Sequence, residues 1–203
     1  MAAPPEVTIH NLSGTWVMAQ ISGITKTYRL SNHPTQNKGL SDNMDELMEL
    51  QGVPWLVRKA ASVMNVTAKL TQTTDAATGT GSITIETVAT GGFKGENKTY
   101  KLDGSELRSE SKFGVTHVRA RWLNLSERDQ PRSMSGEGPS TPTWSRTGLR
   151  SLVYVVQESG EGTAEQVFGF CMIDGKRYHV QKTSATKDNK TVRVRAVYDW
   201  RGQ

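Results

Sequence analysis

Cysteine is nearly absent from this chain of 203 residues: Cys171 stands alone. One thiol excludes an intrachain disulfide and a cysteine-rich metal site, and it suits a reducing, cytoplasmic setting. Long apolar runs are missing too. The longest, such as Leu152 to Val156, fall far short of the roughly 20 residues that a bilayer-spanning helix needs. The opening Met-Ala-Ala-Pro-Pro-Glu has neither a basic start nor an apolar stretch, so no targeting or membrane segment is expected. The histidines (His10, His33, His117 and His179) are scattered and form no His-x-x-x-His pair. A Gly-x-Ser-x-Gly elbow and a phosphate loop are likewise absent. Gly79-Thr80-Gly81 begins like a dinucleotide fingerprint, but it lacks the third Gly and leads into a strand where a helix is required. No cofactor is therefore expected, neither metal, nucleotide nor flavin.

Apolar residues make up 35% of the chain and aromatics 7%, with a mean hydropathy of -0.54. Such values are low for a helical globule and ordinary for strands with one polar face. The net charge is +5, yet Lys and Arg are interleaved with Asp and Glu and form no block. Without a basic face, stacking aromatics or a recognisable module, nucleic acid is not an expected partner.

What is present reads as one domain over residues 1–203, a length that supports one core. A short strand, Leu12 to Met18, comes first. Residues 19–40 show no sustained period and contain Gly23, Pro34 and Gly39, the marks of an inserted loop. Ser41, Asp42 and Asn43 offer N-caps ahead of Met44, Leu47, Met48 and Leu50 at helical spacing. Gln51-Gly52 ends that helix, and Pro54 starts a second that runs to about Met64. From Val66 onward come short strands: 66–73, 81–88, 96–102, 106–111, 115–122, 149–157, 164–173, 177–186 and 191–200. Asp103-Gly104, Asp174-Gly175 and Asp188-Asn189 are turn dipeptides that favour pairing in chain order. Residues 124–148, rich in Pro, Ser and Gly and holding Trp144, read as a flexible surface loop. The expectation is an all-β, ten-stranded antiparallel up-and-down barrel, closed or nearly closed, with a helix-turn-helix lid over about 43–64.

Strand alternation sorts the polar residues. Val118, Ala120 and Trp122 share one face and His117, Arg119 and Arg121 the other. Two readings stand: a solvated cationic face, or a barrel that keeps His117 and Arg121 inside for a polar-headed ligand. Tyr198 shares a face with Val194, Ala196 and Trp200, which sets it inward and Arg195 outward. Phe168, Phe170 and Met172 with Gln166 form a further stripe, either packing or pocket. Cys171 lies in an apolar strand and reads as an inert buried thiol.

The Gly14-x-Trp16 strand, the stretch Met44-Asp45-Glu46-Leu47-Met48-Glu49-Leu50-Gln51-Gly52-Val53-Pro54-Trp55-Leu56-Val57-Arg58-Lys59-Ala60 and the terminal Val197-Tyr198-Asp199 resemble the intracellular lipid-binding proteins, the fatty-acid-binding-protein family of the calycins. The helical stretch looks like that family's two-helix lid, with Gly-Val between the helices and Arg-Lys in the second. A looser likeness is to fungal single-domain lipocalin-like proteins. The resemblance implies a small hydrophobic ligand in the barrel and a Trp16 that plugs the closed end. In the family the last strand ends Arg-x-Tyr and holds a carboxylate; here Tyr198 matches, but Ala196 occupies the Arg position.

These readings place a cavity under the lid, lined by Trp55, Phe168, Phe170, Tyr198 and Arg121. Two functions compete. The chain binds a hydrophobic lipid-like or aromatic molecule, with transient contact to a membrane surface open to it. Alternatively it is a cofactor-independent cyclase or isomerase, as the fungal likeness implies, with His117, Tyr198, Arg121 and Glu165 as candidate catalytic groups.

Overall fold

The computed structural model describes residues 1–19, 40–95, 97–111, 114–124, 151–160 and 162–203. Apart from their ends, the two expected loops, with Trp144, lie outside the described residues. Strand β1 (Gly14–Met18) is followed by helices α1 (Asp45–Leu50) and α2 (Trp55–Ala61). Then come β2 (Val66–Thr74), β3 (Gly81–Ala89), β4 (Phe93–Lys94), β5 (Lys98–Lys101), β6 (Asp103–Ser111), β7 (Gly114–Asn124), β8 (Ser151–Ser159), β9 (Gly162–Ile173), β10 (Lys176–Lys187) and β11 (Lys190–Gly202). The eleven strands form one antiparallel sheet in the order β4-β3-β2-β1-β11-β10-β9-β8-β7-β6, with β5 also on β3. The count exceeds the expected ten by the two-residue β4.

Local chemistry explains the meander. Asp174-Gly175 and Asp188-Asn189 take positive φ at both residues (49° and 72°, 48° and 63°), the backbone whose twist suits a two-residue hairpin. They join β9 to β10 and β10 to β11. Asp103-Gly104 behaves differently. It forms a bulge at the start of β6, where the register against β7 shifts between Asp103 and Glu106, and Asp103 Oδ1 accepts from the Ser105 N–H at 2.9 Å. Among the described residues no ladder joins β5 to β6, so the barrel is nearly closed. The chain crosses that gap at Leu102, whose N–H donates to the Gly81 carbonyl at 2.8 Å.

Register decides what faces inward. Phe170, His179 and Tyr198 stand abreast on neighbouring strands, as do Phe168, Gln181 and Ala196, and then Ala164, Ala185 and Val192. At one end Trp16 is fully buried, with ring centroids 4.7 Å from Trp200 and 5.0 Å from His179. Gly14 sits at a φ of 145°, and a Cβ there would fall inside the Trp200 indole. Ala3, Val7, Ile9 and Leu12 join the same core. Arg177, 3.9 Å over the Phe170 ring, donates to the carbonyls of Pro4 and Val7, tying this N-terminal strap across the closed end.

The opposite end carries the lid. Leu47 of α1 packs on Ala185, Val192 and Val194, with Met44 and Leu50 beside it. Ser41 and Asp42, expected as N-caps, serve β11 instead. Ser41 Oγ accepts from the Val197 N–H at 3.0 Å, and Asp42 Oδ2 accepts from the Arg195 N–H at 2.8 Å. Asn43 Oδ1 accepts from the Asp45 N–H. Ala19 also donates to the Val197 carbonyl at 2.7 Å, so the residues flanking 20–39 are anchored at one point on β11. A second apolar cluster covers the outer face of β8–β11: Val167, Cys171, Tyr178, Val180 and Val197, with Ala19, Leu123 and Leu152.

Candidate functional site

The mouth of the barrel holds a cavity of about 280 Å³, roofed by Leu50 and Val53 and walled by Lys98, Gln157, Ala164 and Ala185 among others. Small side chains make the room. Ala164 and Ala185 are register partners on the inner face, where the deeper ranks carry Phe168 and Phe170. Polar side chains line it as well, Gln157 with Lys98 and Lys187 among them. Gln157 Nε2 donates to the Tyr100 hydroxyl at 3.2 Å, and the Tyr100 ring, itself buried, meets Phe168 edge-on at 6.1 Å. Burial pushes the Tyr100 phenol well above its ordinary range, against a smaller opposing pull from Gln157, so the group stays protonated at any physiological pH.

Two more polar groups lie deeper. The Tyr198 hydroxyl donates to Gln181 Oε1 at 3.3 Å, and burial pushes this phenol up to about 12. His179 is fully buried among Trp16, Phe168, Phe170 and Tyr198. Its Nδ1 lies 3.1 Å from the Gly169 carbonyl, an acceptor only, so Nδ1 carries the proton and Nε2 the lone pair. Nε2 has no partner. Desolvation pushes the imidazole down to about 4, outweighing the Gly169 hydrogen bond, which acts the other way.

The expected site residues divide between the two faces. Phe168, Phe170 and Tyr198 come together inside, but in the packed core and not among the residues that line the cavity. His117 lies outside: its Nδ1 is 2.8 Å from Glu106 Oε1, and Arg119 takes the other oxygen of the same carboxylate. His117 first, and then Arg119, hold the Glu106 carboxyl below its ordinary range. Arg121 also faces out, with its guanidinium 5.5 Å above the Tyr154 ring. Glu165 is on the outer face too, in register with Val156 and Ser184. Of the two readings of the strand that carries His117 and Arg121, the solvated face is the one observed, so Arg121 does not line the cavity as expected, and the candidates His117 and Glu165 lie outside it as well. Once Ala120 and Val155 turn into the core, the pleat sends the alternate positions outward. Trp55 does not line the cavity. It is 63% exposed, and the residue that α2 buries is Arg58, whose Nη1 lies 3.4 Å from Glu49 Oε2 and 3.4 Å from the Asp45 carbonyl.

Sequence reasoning missed Tyr100, Gln157 and His179. Each had a local signal. Tyr100 is the one aromatic in Lys98–Lys101, Gln157 follows Val153 and Val155 at the same parity, and His179 lies two residues before Gln181. Cys171 is buried, and desolvation pushes its thiol up to about 12, which suits an inert group. Among the described residues no group of three His, Cys, Asp or Glu could hold a metal ion.

A nearly closed meander barrel with a two-helix lid between its first two strands is the fatty-acid-binding-protein fold. The Schistosoma mansoni fatty acid binding protein, solved in complex with arachidonic acid, matches with a TM-score of 0.52 at 18% identity, covering 96% of this chain and 99% of that one. Lipid binding protein 8 of Caenorhabditis elegans matches with a TM-score of 0.53 at 13% identity, covering 94% and 95%. In sequence the chain is 29% identical over 206 residues to the pericyclase pydY of an Acremonium species, spanning 100% of this chain and 98% of that protein. It is 27% identical over 205 residues to the probable pericyclase scpY of Mollisia scopiformis, spanning 99% and 95%. No protein-family profile matches the chain.

Proposed function

We propose that the protein is a cofactor-independent pericyclase that folds a hydrophobic, polyunsaturated biosynthetic intermediate inside its barrel. The observation that carries this reading is that both curated relatives, matched over nearly their full lengths, are named as pericyclases. The geometry fits the chemistry. A pericyclic step moves electrons around a closed ring of bonds and needs no nucleophile, metal or proton relay. What it needs is a chain held in a reactive shape, and enclosure supplies that by removing conformational freedom before the barrier is reached. A mouth of about 280 Å³ lies near the lower end of the roughly 300–1,000 Å³ usual for small-molecule sites. Phe168, Phe170 and Tyr198 continue the apolar wall inward. We take residues 1–203 as one domain, since strap, lid and strands pack on one barrel, and we place it in the cytoplasm, in keeping with its single cysteine. A carrier function is the second reading, and the fold favours it.

The genes beside this one name the intermediate to try. Incubation of that compound with the protein, followed by chromatography, separates the readings. Faster or more stereoselective product formation than in buffer is expected. Saturable binding with no change in rate or stereochemistry would leave a carrier.

A further inference from the structure

The charged residues that line the cavity are both cations, Lys98 and Lys187, and no Asp or Glu lines it with them. They stand on opposite walls. Lys98 lies on β5 in register with Ile85, which packs on the core, and Lys187 lies on β10 two residues beyond the buried Ala185. Strand β5 hangs on β3, and β10 is the midpoint of the circuit from β3 round to β6, so the lysines face each other across the mouth. An opening lined by one sign of charge concentrates its field there and draws in the opposite sign. Deeper in, that charge disappears: the next ranks hold Gln166 with Thr183, and then Phe168 with Gln181 and Ala196. Arg177, at the closed end, is committed to the carbonyls of Pro4 and Val7.

We propose that the mouth is an anion site: Lys98 and Lys187 hold an ionised acid group of the ligand between them at the rim, while the ligand's apolar body lies under the lid against Leu50, Val53, Ala164 and Ala185. The orientation follows from where the charges are. An acid at the rim keeps much of its water and gains two cations; the same acid beside Phe168 and Ala196 would lose its water and gain no counter-charge. The ligand is thus held acid outward, the reverse of a carboxylate buried on the last strand, whose Arg position is Ala196 here. As a statement about substrate this inference rests on the pericyclase reading and deepens it. The class it selects is an unsaturated chain that ends in an ionised acid, with the reacting double bonds toward the uncharged end. Fixing the acid at the rim stops the chain from sliding or entering reversed, a restriction in place before any bond forms. The lysines bind and orient; they take no part in the bond changes.

The test uses the whole chain and two fluorescent dyes with one body: 8-anilinonaphthalene-1-sulfonate, an anion, and N-phenyl-1-naphthylamine, its neutral parent. Titration gives a Kd for each. Lys98→Gln and Lys187→Gln should each weaken the anion about two- to fivefold, and together about tenfold, while the neutral dye changes less than about twofold. The double Lys→Arg variant, which keeps both charges, should hold the anion near its wild-type affinity. Added salt should weaken the anion and spare the parent. Lys59→Gln, on the exposed surface of α2 and outside the cavity lining, should leave both dyes unchanged. Unchanged anion affinity in the double Gln variant would overturn the site. So would equal losses of the two dyes, which would mark packing, an equal loss in Lys59→Gln, which would mark a general pull of the basic surface, or failure of wild type to bind the anion saturably. An anion-selective loss in a protein that turns nothing over would uphold the site and sink the pericyclase reading; turnover without that loss would do the reverse.

Discussion

The two ends of the barrel are built from opposite materials. At the closed end large rings fill the space: Trp16 is fully buried against Trp200, Phe170 and His179, and Arg177 ties the strap residues Pro4 and Val7 over them. At the open end the same strands carry Ala164, Ala185 and Gln157 under a lid whose inserted residue is Leu47. A stable barrel needs only one packed end, because rings at that end bury enough area to hold the strands together. The other end can then be left partly empty, and a cavity lined by small residues becomes tolerable.

Damage at the closed end should therefore be the most severe. Trp16→Ala is expected to lower unfolding free energy by about 3–5 kcal/mol, read by urea denaturation. A loss below 1 kcal/mol would mean that this end is not the keystone. His179 sharpens the contrast through pH. Its folded value lies near 4 against an ordinary 6.5. Above pH 6.5 both states are neutral and stability is full; as pH falls toward 4 the unfolded chain takes a proton that the fold refuses. Roughly 3 kcal/mol should be lost over that window. His179→Asn, which keeps a donor for Gly169 but cannot titrate, should lack this component, and parallel pH profiles for the two proteins would refute it.

The open end should separate function from stability. Ala164→Leu fills the cavity and is expected to weaken binding of an apolar fluorescent probe about tenfold while changing stability by less than about 1 kcal/mol. A large stability change would show that the mouth is packed rather than empty. The smallest effects belong outside the barrel. His117→Ala removes a contact to Glu106 at a half-exposed surface, and stability should stay within about 0.5 kcal/mol. Turnover of the pathway intermediate should stay within twofold; a large drop would return His117 to the list of catalytic candidates.

Much of this architecture was legible from local sequence. Asp174-Gly175 and Asp188-Asn189 specify hairpins by their own backbone preferences, and the Met44-to-Ala60 stretch marks the lid. Asp103-Gly104 misled because the same dipeptide also suits a bulge, and the choice depends on whether its flanking strands pair with each other. The site was only half legible. Phe168, Phe170 and Tyr198 announce themselves as core by apolar parity, whereas Gln157, which lines the cavity, and Tyr100, which it bonds, are 57 residues apart and meet only in the folded barrel.

The sequence by itself determined the meander, the hairpins at Asp174-Gly175 and Asp188-Asn189, the two helices and which residues share a face, because each follows from contacts within a few residues along the chain. Tertiary structure decided which face looks inward, where Ser41 and Asp42 bond, which side of α2 meets α1, and which polar groups line the cavity. Alternation has period two and no sign. The sign is set only when β1 closes against β11 and Trp16 commits one face of every strand to the core.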